Sequence, residues 1–495
     1  MKIKEGTLRE LLNTKPAYTL YERSFKQLED SEWAMVKEGL EKKLLVSGKQ
    51  SVLDQLEGEM ISEQIKLCPT NYQNRLVLNK YFDWTVPKAF GNKVTTIGLG
   101  DRLGLASPGH ISAIRDKKAK PILAQQSIRE LTLMDRTIDD IVDAASYAVF
   151  QEDYQDGFGA DGDHLKEEAD IKRALDAGMT MLTLDCSDHI ENAVANYTKE
   201  EVQAHYDELP EDERTGYEKR YLDQTFHIHS FDLSFSKEAL MFNVLLYKKA
   251  LDFTVFVFDE YVQKANQEID FELSIDETET VTSPASHFFV ANELAERGVK
   301  VNSLAPRFIG EFQKGVDYMG ELDQFEADFK QHAEIAKTLD YKISIHSGSD
   351  KFSVFPIIGN HTEGLFHLKT AGTNWLEAMR VLAQTEPELY RKMHSYAFEH
   401  FPEAQKYYHI TPDLSGIPGL DKVNDAELPE YLNDRNARQV LHVTYGVLLT
   451  AETNEGQPLF KNIFFEKMKE REEEYRRTLT EHIGKHLETL RIPNQ

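Results

Sequence analysis

The sequence predicts an α/β protein built on a (β/α)8 barrel, and three observations carry that prediction. Short apolar, β-rich runs alternate with amphipathic helix-like stretches, the pattern of a parallel sheet with crossover helices. Eight such runs follow residue 90, the number that closes a barrel. Most of them pass from apolar residues into a polar, Gly-, Ser- or charge-rich end, where the C-terminal mouth of a barrel carries its chemistry. A doubly wound open sheet is the main competitor.

In chain order the candidate strands are VTTIGLGDR (94–102), PILAQQS (121–127), GFGADGDH (157–164), MTMLTLDCSDH (179–189), FELSIDET (271–278), VNSLAPRFIGE (301–311), KISIHSGSD (342–350) and FHLKTAGT (366–373). Helices are expected between them. Residues 137–150 open with a Thr cap and carry an apolar stripe, and 165–178 end in glycine. Residues 284–298 begin with proline and end in glycine, and 321–339 form a long amphipathic pattern. The expected organisation is therefore a TIM barrel over 91–460, preceded by an N-terminal α/β extension over 1–90. A mostly helical insertion falls at about 190–268, and a charged helix over 461–495 packs on the barrel exterior.

The formal net charge of −27 repels phosphate backbones and anionic lipid, so neither nucleic acid nor a membrane is expected as a partner. The same charge repels an anionic substrate, which would need local cations or a metal in its pocket. Two cysteines, Cys68 and Cys186, make no disulfide scaffold and no C-x-x-C zinc pair. The N-terminus lacks the apolar core of a signal peptide, and no apolar run approaches a membrane span, so the chain reads as cytoplasmic. No GxGxxG, GxxxxGK[ST] or GxSxG motif stands where a dinucleotide, nucleotide or hydrolase site would need it.

The strand ends supply the candidate chemistry. GFGADGDH brings Asp161, Asp163 and His164 together, a set suited to a divalent metal or to a base with an orienting partner, or else a Gly/Asp turn capping the next helix. In FELSIDETET, strand alternation puts Glu272, Ser274 and Asp276 on one face. A carboxylate inside that strand must point into the lumen, where burial raises its pKa and suits it to donate a proton, or it forms a structural ion pair. Asp276, Glu277 and Glu279 also read as helix-capping residues. APRFIGEF carries Arg307, suited to a substrate carboxylate, and Glu311, able to ligate a metal, although the two could simply pair. KISIHSGSDK sets His346 beside a Ser-Gly-Ser turn containing Ser347, with Lys351 adding positive charge for an anion. Gln125 offers an amide to sugar hydroxyls, and Asp101 and Lys369 are weaker candidates. Cys186, with no obvious base nearby, reads as packing.

GDRLGLASPGH, PILAQQSIRE, FQEDYQDGFGADGDH, SIDETETVTSP, RFIGEFQKGVDY, ISIHSGSDKFSV, HLKTAGT and HVTYG, in this order, closely resemble the tagaturonate/fructuronate epimerases of bacterial hexuronate catabolism. The resemblance covers nearly all of the chain after residue 90. It implies an isomerase that interconverts D-tagaturonate and D-fructuronate with a divalent metal; some relatives act on tagatose and fructose. It implies Asp163 as proton acceptor, Glu272 as proton donor, and His164 and His346 as metal ligands, with Glu311 as third ligand and Glu277 behind it. A His/carboxylate site accepts Mn, Fe, Co, Ni or Zn. The partner implied is a small keto-sugar acid, and a homo-oligomer is compatible with the sequence.

The inverted carbon is β to the ketone, so simple enolisation does not acidify its hydrogen. A retro-aldol route or a stepwise proton relay remains, each needing a metal, a base and an acid on opposite faces of the sugar. The rival readings are a keto-sugar aldolase or isomerase using the same metal, and a barrel that binds sugar acids without turnover.

Overall fold

The eight apolar runs close into one parallel ring. The structure, a computed structural model, describes residues 7–14, 17–276, 278 and 280–495. The barrel strands are β1 (Thr96–Gly98), β2 (Lys120–Ser127), β3 (Gly159–Leu165), β4 (Met181–Asp185), β5 (Asp270–Ile275), β6 (Ser303–Pro306), β7 (Lys342–Ile345) and β8 (Phe366–Lys369). Each pairs in parallel with its chain neighbours, and β8 pairs with β1 to close the ring. Every expected strand is present, and helices surround the barrel, so the predicted (β/α)8 class holds.

The helices start and stop where their sequences dictate. Thr137 makes a reciprocal capping box with Asp140 at the head of Ile138–Glu152. Ser283 caps Pro284–Glu296, and Gly298 follows at φ 79°, a conformation that disfavours a side chain. Leu322–Thr338 buries Phe325, Phe329, Ala333 and Ala336, one helical stripe, against the barrel.

Before the barrel, strands Tyr18–Leu20, Ser31–Glu38, Glu41–Gly48, Glu59–Ser62 and Ile65–Pro69 build an antiparallel sheet. One face holds Trp33, Met35, Leu44 and Val46 and packs with Phe150 of the helix after β2. Between β4 and β5 lie helices Lys199–Asp207, Glu211–Tyr221 and Lys237–Val257. After β8 the chain builds a second apolar core around Trp375, Tyr390, Leu441, Tyr445 and Phe464. Several helices between residues 373 and 449, to which the sequence pattern assigns no separate elements, make it together with the helices Lys461–Glu470 and Glu472–Thr489. This second core stands over the β8–β1–β2 side of the mouth. Trp375 donates to the Leu441 carbonyl at 2.7 Å, and Tyr475 donates to the Asn374 carbonyl at 2.9 Å. No helix among the described residues is long and apolar enough to cross a membrane.

Candidate active site

At the C-terminal mouth the strand ends enclose a cavity of about 400 Å³ lined by residues of β2, β3, β4 and β8 and of the segments that follow the other strands. Its floor is an ionic cluster assembled across the barrel. Register places Thr183 of β4, Glu272 of β5 and Ser303 of β6 side by side. Their side chains meet in the lumen: Ser303 donates to Glu272 Oε2 at 2.5 Å, and Thr183 donates to Asp161 at 3.0 Å. Lys369, at the end of β8, stands between the carboxylates. Its ammonium lies 2.6 Å from Asp163, 3.0 Å from Asp161 and 3.1 Å from Glu272, and it is 5% exposed.

Asp163 and His164 are consecutive on β3, so a regular strand would aim them at opposite faces. The β3–β4 register shifts here, and His164 takes φ 54° in the left-handed region. That turn lets Asp163 Oδ1 reach its neighbour's Nδ1 at 2.8 Å and sets the His164 ring 4.8 Å from the His346 ring. His346 Nε2 meets Glu272 Oε1 at 2.8 Å. Its Nδ1 faces Asp276 Oδ2 at 3.2 Å yet finds no hydrogen bond there.

The charges of the cluster set one another. Burial alone would raise Asp163 and Glu272, but Lys369 outweighs it, helped by His164 for the first and His367 and His346 for the second. Both stay well below the usual carboxylate range. The raised pKa expected for a buried Glu272 is thus reversed, because three cationic or imidazole groups share its pocket. Asp161 is the carboxyl that does rise, to about 6, through burial reinforced by Asp163 and Glu272. Burial would lower His346, but Asp276 lifts it to about 10.

One aspartate and two histidines, Asp276, His164 and His346, hold potential ligand atoms within 4.8 Å of one another. Two imidazoles and a carboxylate converging there fit a borderline divalent cation, which His346 can ligate once it gives up the proton that Asp276 favours. Glu311 does not join them. It lies on the rim, its side chain 43% exposed, beside His409 at 3.7 Å. Asp276, read from sequence also as a cap, is the carboxylate that stands beside the two histidines; Glu277 lies outside the described residues.

The other expected residues divide. Gln125 is buried on the cavity wall with Oε1 unpartnered. Ser347 lines the cavity at φ 50°, accepting from Lys314 at 2.8 Å. Arg307 lines the neighbouring pocket, but its guanidinium donates to the Thr278 carbonyl and so fastens the loop after β5. It does not pair with Glu311. Lys351 was expected to offer positive charge to an anion. Instead it is fully buried and donates to the carbonyls of Gln313, Val316 and Ser349 at 2.9, 2.6 and 3.0 Å, and its hydrogen-bonding capacity is spent on the backbone. Burial pushes it down to about 7. Asp101 accepts from the backbone N–H groups of Leu103, Gly104 and Ala106 and shapes the turn after β1. Cys186 is buried, its thiol donating to the Ser274 carbonyl. The residues the sequence reading undervalued are Lys369 at the centre, Asp161 and Thr183 beneath it, and Arg102 on the wall.

Comparison with known proteins gives a consistent set of relatives. The family model described as UxaE, tagaturonate epimerase, matches residues 21–490. A tagaturonate/fructuronate epimerase of Thermotoga maritima is 40% identical over 479 residues, covering 96% of this chain and 97% of that protein. A glycerol-complexed crystal structure of the fructuronate-tagaturonate epimerase UxaE from Cohnella laeviribosi superposes with a TM-score of 0.96 at 51% identity, covering 98% of this chain and 99% of that one. The native crystal structure of that protein gives 0.95 at 50% identity, over 99% and 100% of the two chains.

Proposed function

We propose, on the premise that this chain belongs to the tagaturonate epimerase family and is an epimerase, that it interconverts D-tagaturonate and D-fructuronate at the β-barrel mouth with a divalent metal. The observation that carries the reading is one connected network, Asp163–Lys369–Glu272–His346, lying under a cavity of about 400 Å³ and beside an imidazole–carboxylate group.

His164, His346 and Asp276 would hold the metal, which supplies Lewis-acid polarisation of the substrate's ketone oxygen. The protein's own residues move the proton. Asp163, kept ionised by Lys369, takes the proton from the hydroxyl on the carbon to be inverted. The bond between that carbon and its neighbour toward the ketone breaks, and its electron pair passes to the ketone. Rotation of the freed aldehyde and re-addition invert the centre. The proton returns to the new alkoxide through the same network, since one ammonium touches both Asp163 and Glu272. The acceptor and donor are therefore joined through Lys369, whereas the sequence reading expected an acid and a base on opposite faces of the sugar. Glu272 serves as donor only after receiving a proton, because its surroundings keep it ionised. Gln125 and Ser347 on the wall suit the sugar hydroxyls. The setting is a cytoplasmic one, where a soluble sugar acid reaches the open mouth.

The test is NMR analysis of tagaturonate and tagatose incubated with metal-stripped enzyme restored with Mn, Fe, Co, Ni or Zn in turn. Fructuronate must appear with metal and not without it. Cleaved products or an aldose in its place would point to an aldolase or isomerase. Solvent deuterium entering the inverted carbon would count against the cleavage route.

A further inference from the structure

We infer that the corner formed by Arg102, Glu130 and the first turn of the helix Thr373–Thr385 is the anion subsite, binding the carboxylate end of the substrate as an α-hydroxy acid. This rests on the sugar-acid reading above and assigns that role away from Arg307 and Lys351.

Two independent observations meet there. The first is Arg102, which follows β1 and lines the cavity at 2% exposure. Its Nε donates to Glu130 Oε1 at 2.9 Å and its Nη2 to the same oxygen, while its plane lies 4.3 Å over the Tyr445 ring. Those contacts fix the guanidinium rigidly and leave Nη1 with no partner at all. A buried cationic donor without an acceptor is costly unless a ligand completes it. The second is the 13-residue helix Thr373–Thr385, whose N-terminus opens onto the same cavity through Ala371 and Gly372. No side chain caps it and no acidic residue sits in its first turn. Its free N–H groups and dipole favour an anion. Gly372 is required, because a Cβ there would strike the imidazole of His442. Burial, with Arg102, Lys314 and Arg438 nearby, keeps that imidazole neutral.

Of the other cations lining the cavity, Arg129 is exposed and lies over the Tyr408 ring at 5.0 Å, outside the buried corner, and the lysines are engaged. Lys369 serves carboxylates and Lys351 backbone carbonyls, Lys314 donates to Ser347, and Lys166 donates to Ser187 and Asp188. Glu130 also leaves one oxygen, Oε2, without a partner. It cannot welcome a carboxylate, but it can accept from the hydroxyl on the adjacent carbon. An α-hydroxycarboxylate supplies both groups, and a neutral ketose lacks the charged one. The corner lies where β8, β1 and β2 end, while the proposed metal ligands lie at the end of β3 and just after β5 and β7. A six-carbon chain laid across the cavity would place its carboxylate and its ketone at these separate stations.

The experiment compares wild type, Arg102→Met and Arg102→Lys, measuring kcat/KM on tagaturonate and calorimetric binding of tagaturonate and of tagatose. The methionine variant should lose about 10²-fold or more on the uronate, as loss of a charge-assisted contact predicts, and change tagatose binding by no more than about threefold. Arg102→Lys keeps the charge without the fork and should fall between the two. It carries the test alone if the methionine variant does not fold. A parallel fall for both sugars, or no fall for the uronate, overturns the subsite. Arg102-dependent uronate binding without epimerisation would sink the proposed reaction and leave the subsite standing. Epimerisation indifferent to Arg102 would do the reverse.

Discussion

Among the described residues, two clusters carry the same set of groups, one aspartate and two histidines close enough to share a cation. His164, Asp276 and His346 form one; Asp350, His482 and His486 form the other, its aspartate four residues beyond His346 on the same loop. In the second, every group is committed. His486 Nε2 accepts from the Asp350 backbone N–H at 3.0 Å, and its Nδ1 donates to the His482 carbonyl at 2.9 Å. Asp350 takes His482 at 2.5 Å and Arg438 on its other oxygen. No lone pair of His486 remains for an ion, so this set is a fastening between the β7 loop and the helix Glu472–Thr489. In the first, His346 Nδ1 is buried without a hydrogen bond beside the Asp276 carboxylate. The lesson is that composition and proximity do not make a metal site; uncommitted ligand atoms do.

Mutations can break that contrast. The largest effect is expected from His346→Ala, which should abolish bound metal and lower kcat/KM by roughly 10³-fold or more, as removal of a Lewis acid implies. Metal analysis alongside thermal unfolding checks it. Retention of stoichiometric metal would show that the mouth cluster is not the site.

His482→Asn should leave metal content and chemistry largely intact and instead lower Tm by roughly 2–5 °C. Burial would lower the pKa of His482, but Asp350 and Glu377 outweigh it and raise the value above 6.5. A group whose folded pKa is raised stabilises fully below its unfolded pKa, and loses that contribution as pH rises through the folded value. The Tm gap between wild type and variant should therefore be wider near pH 6 than near pH 9. A gap that grows with pH would contradict the fastening. Glu311→Gln should matter least, within about threefold in rate and with metal retained, since an exposed rim pair contributes little. Loss of metal there would restore Glu311 as third ligand in place of Asp276.

The barrel was legible in the sequence because each strand advertises itself twice, by an apolar run and by a polar terminus. The position of Asp163, His164, Glu272 and His346 at the mouth followed directly from that pattern. What the sequence could not show was who meets whom. Lys369 lies 206 residues from Asp163, and a lysine ending a strand looks like a surface residue until the ring closes. The pKa of Glu272 was misjudged for the same reason: burial is readable from alternation, whereas the cation that reverses its effect arrives from a distant strand. Arg307, Glu311 and Lys351 carry suitable chemistry in suitable segments. Only the folded chain shows that Arg307 and Lys351 meet the carbonyls of Thr278, Gln313, Val316 and Ser349 and that Glu311 stands on the open rim. The helices after β8 have no alternating strand to mark them off; their stripes around Trp375 and Leu441 are ordinary amphipathic patterns.

The fastening at Asp350 also bears on how the enzyme comes into being. The helix Glu472–Thr489 is made more than a hundred residues after the strand whose loop it pins. A growing chain can complete its ring of strands and still lack the clasp that steadies the segment bearing His346. The clasp on that segment is therefore synthesised only after every strand of the barrel and every residue lining its mouth.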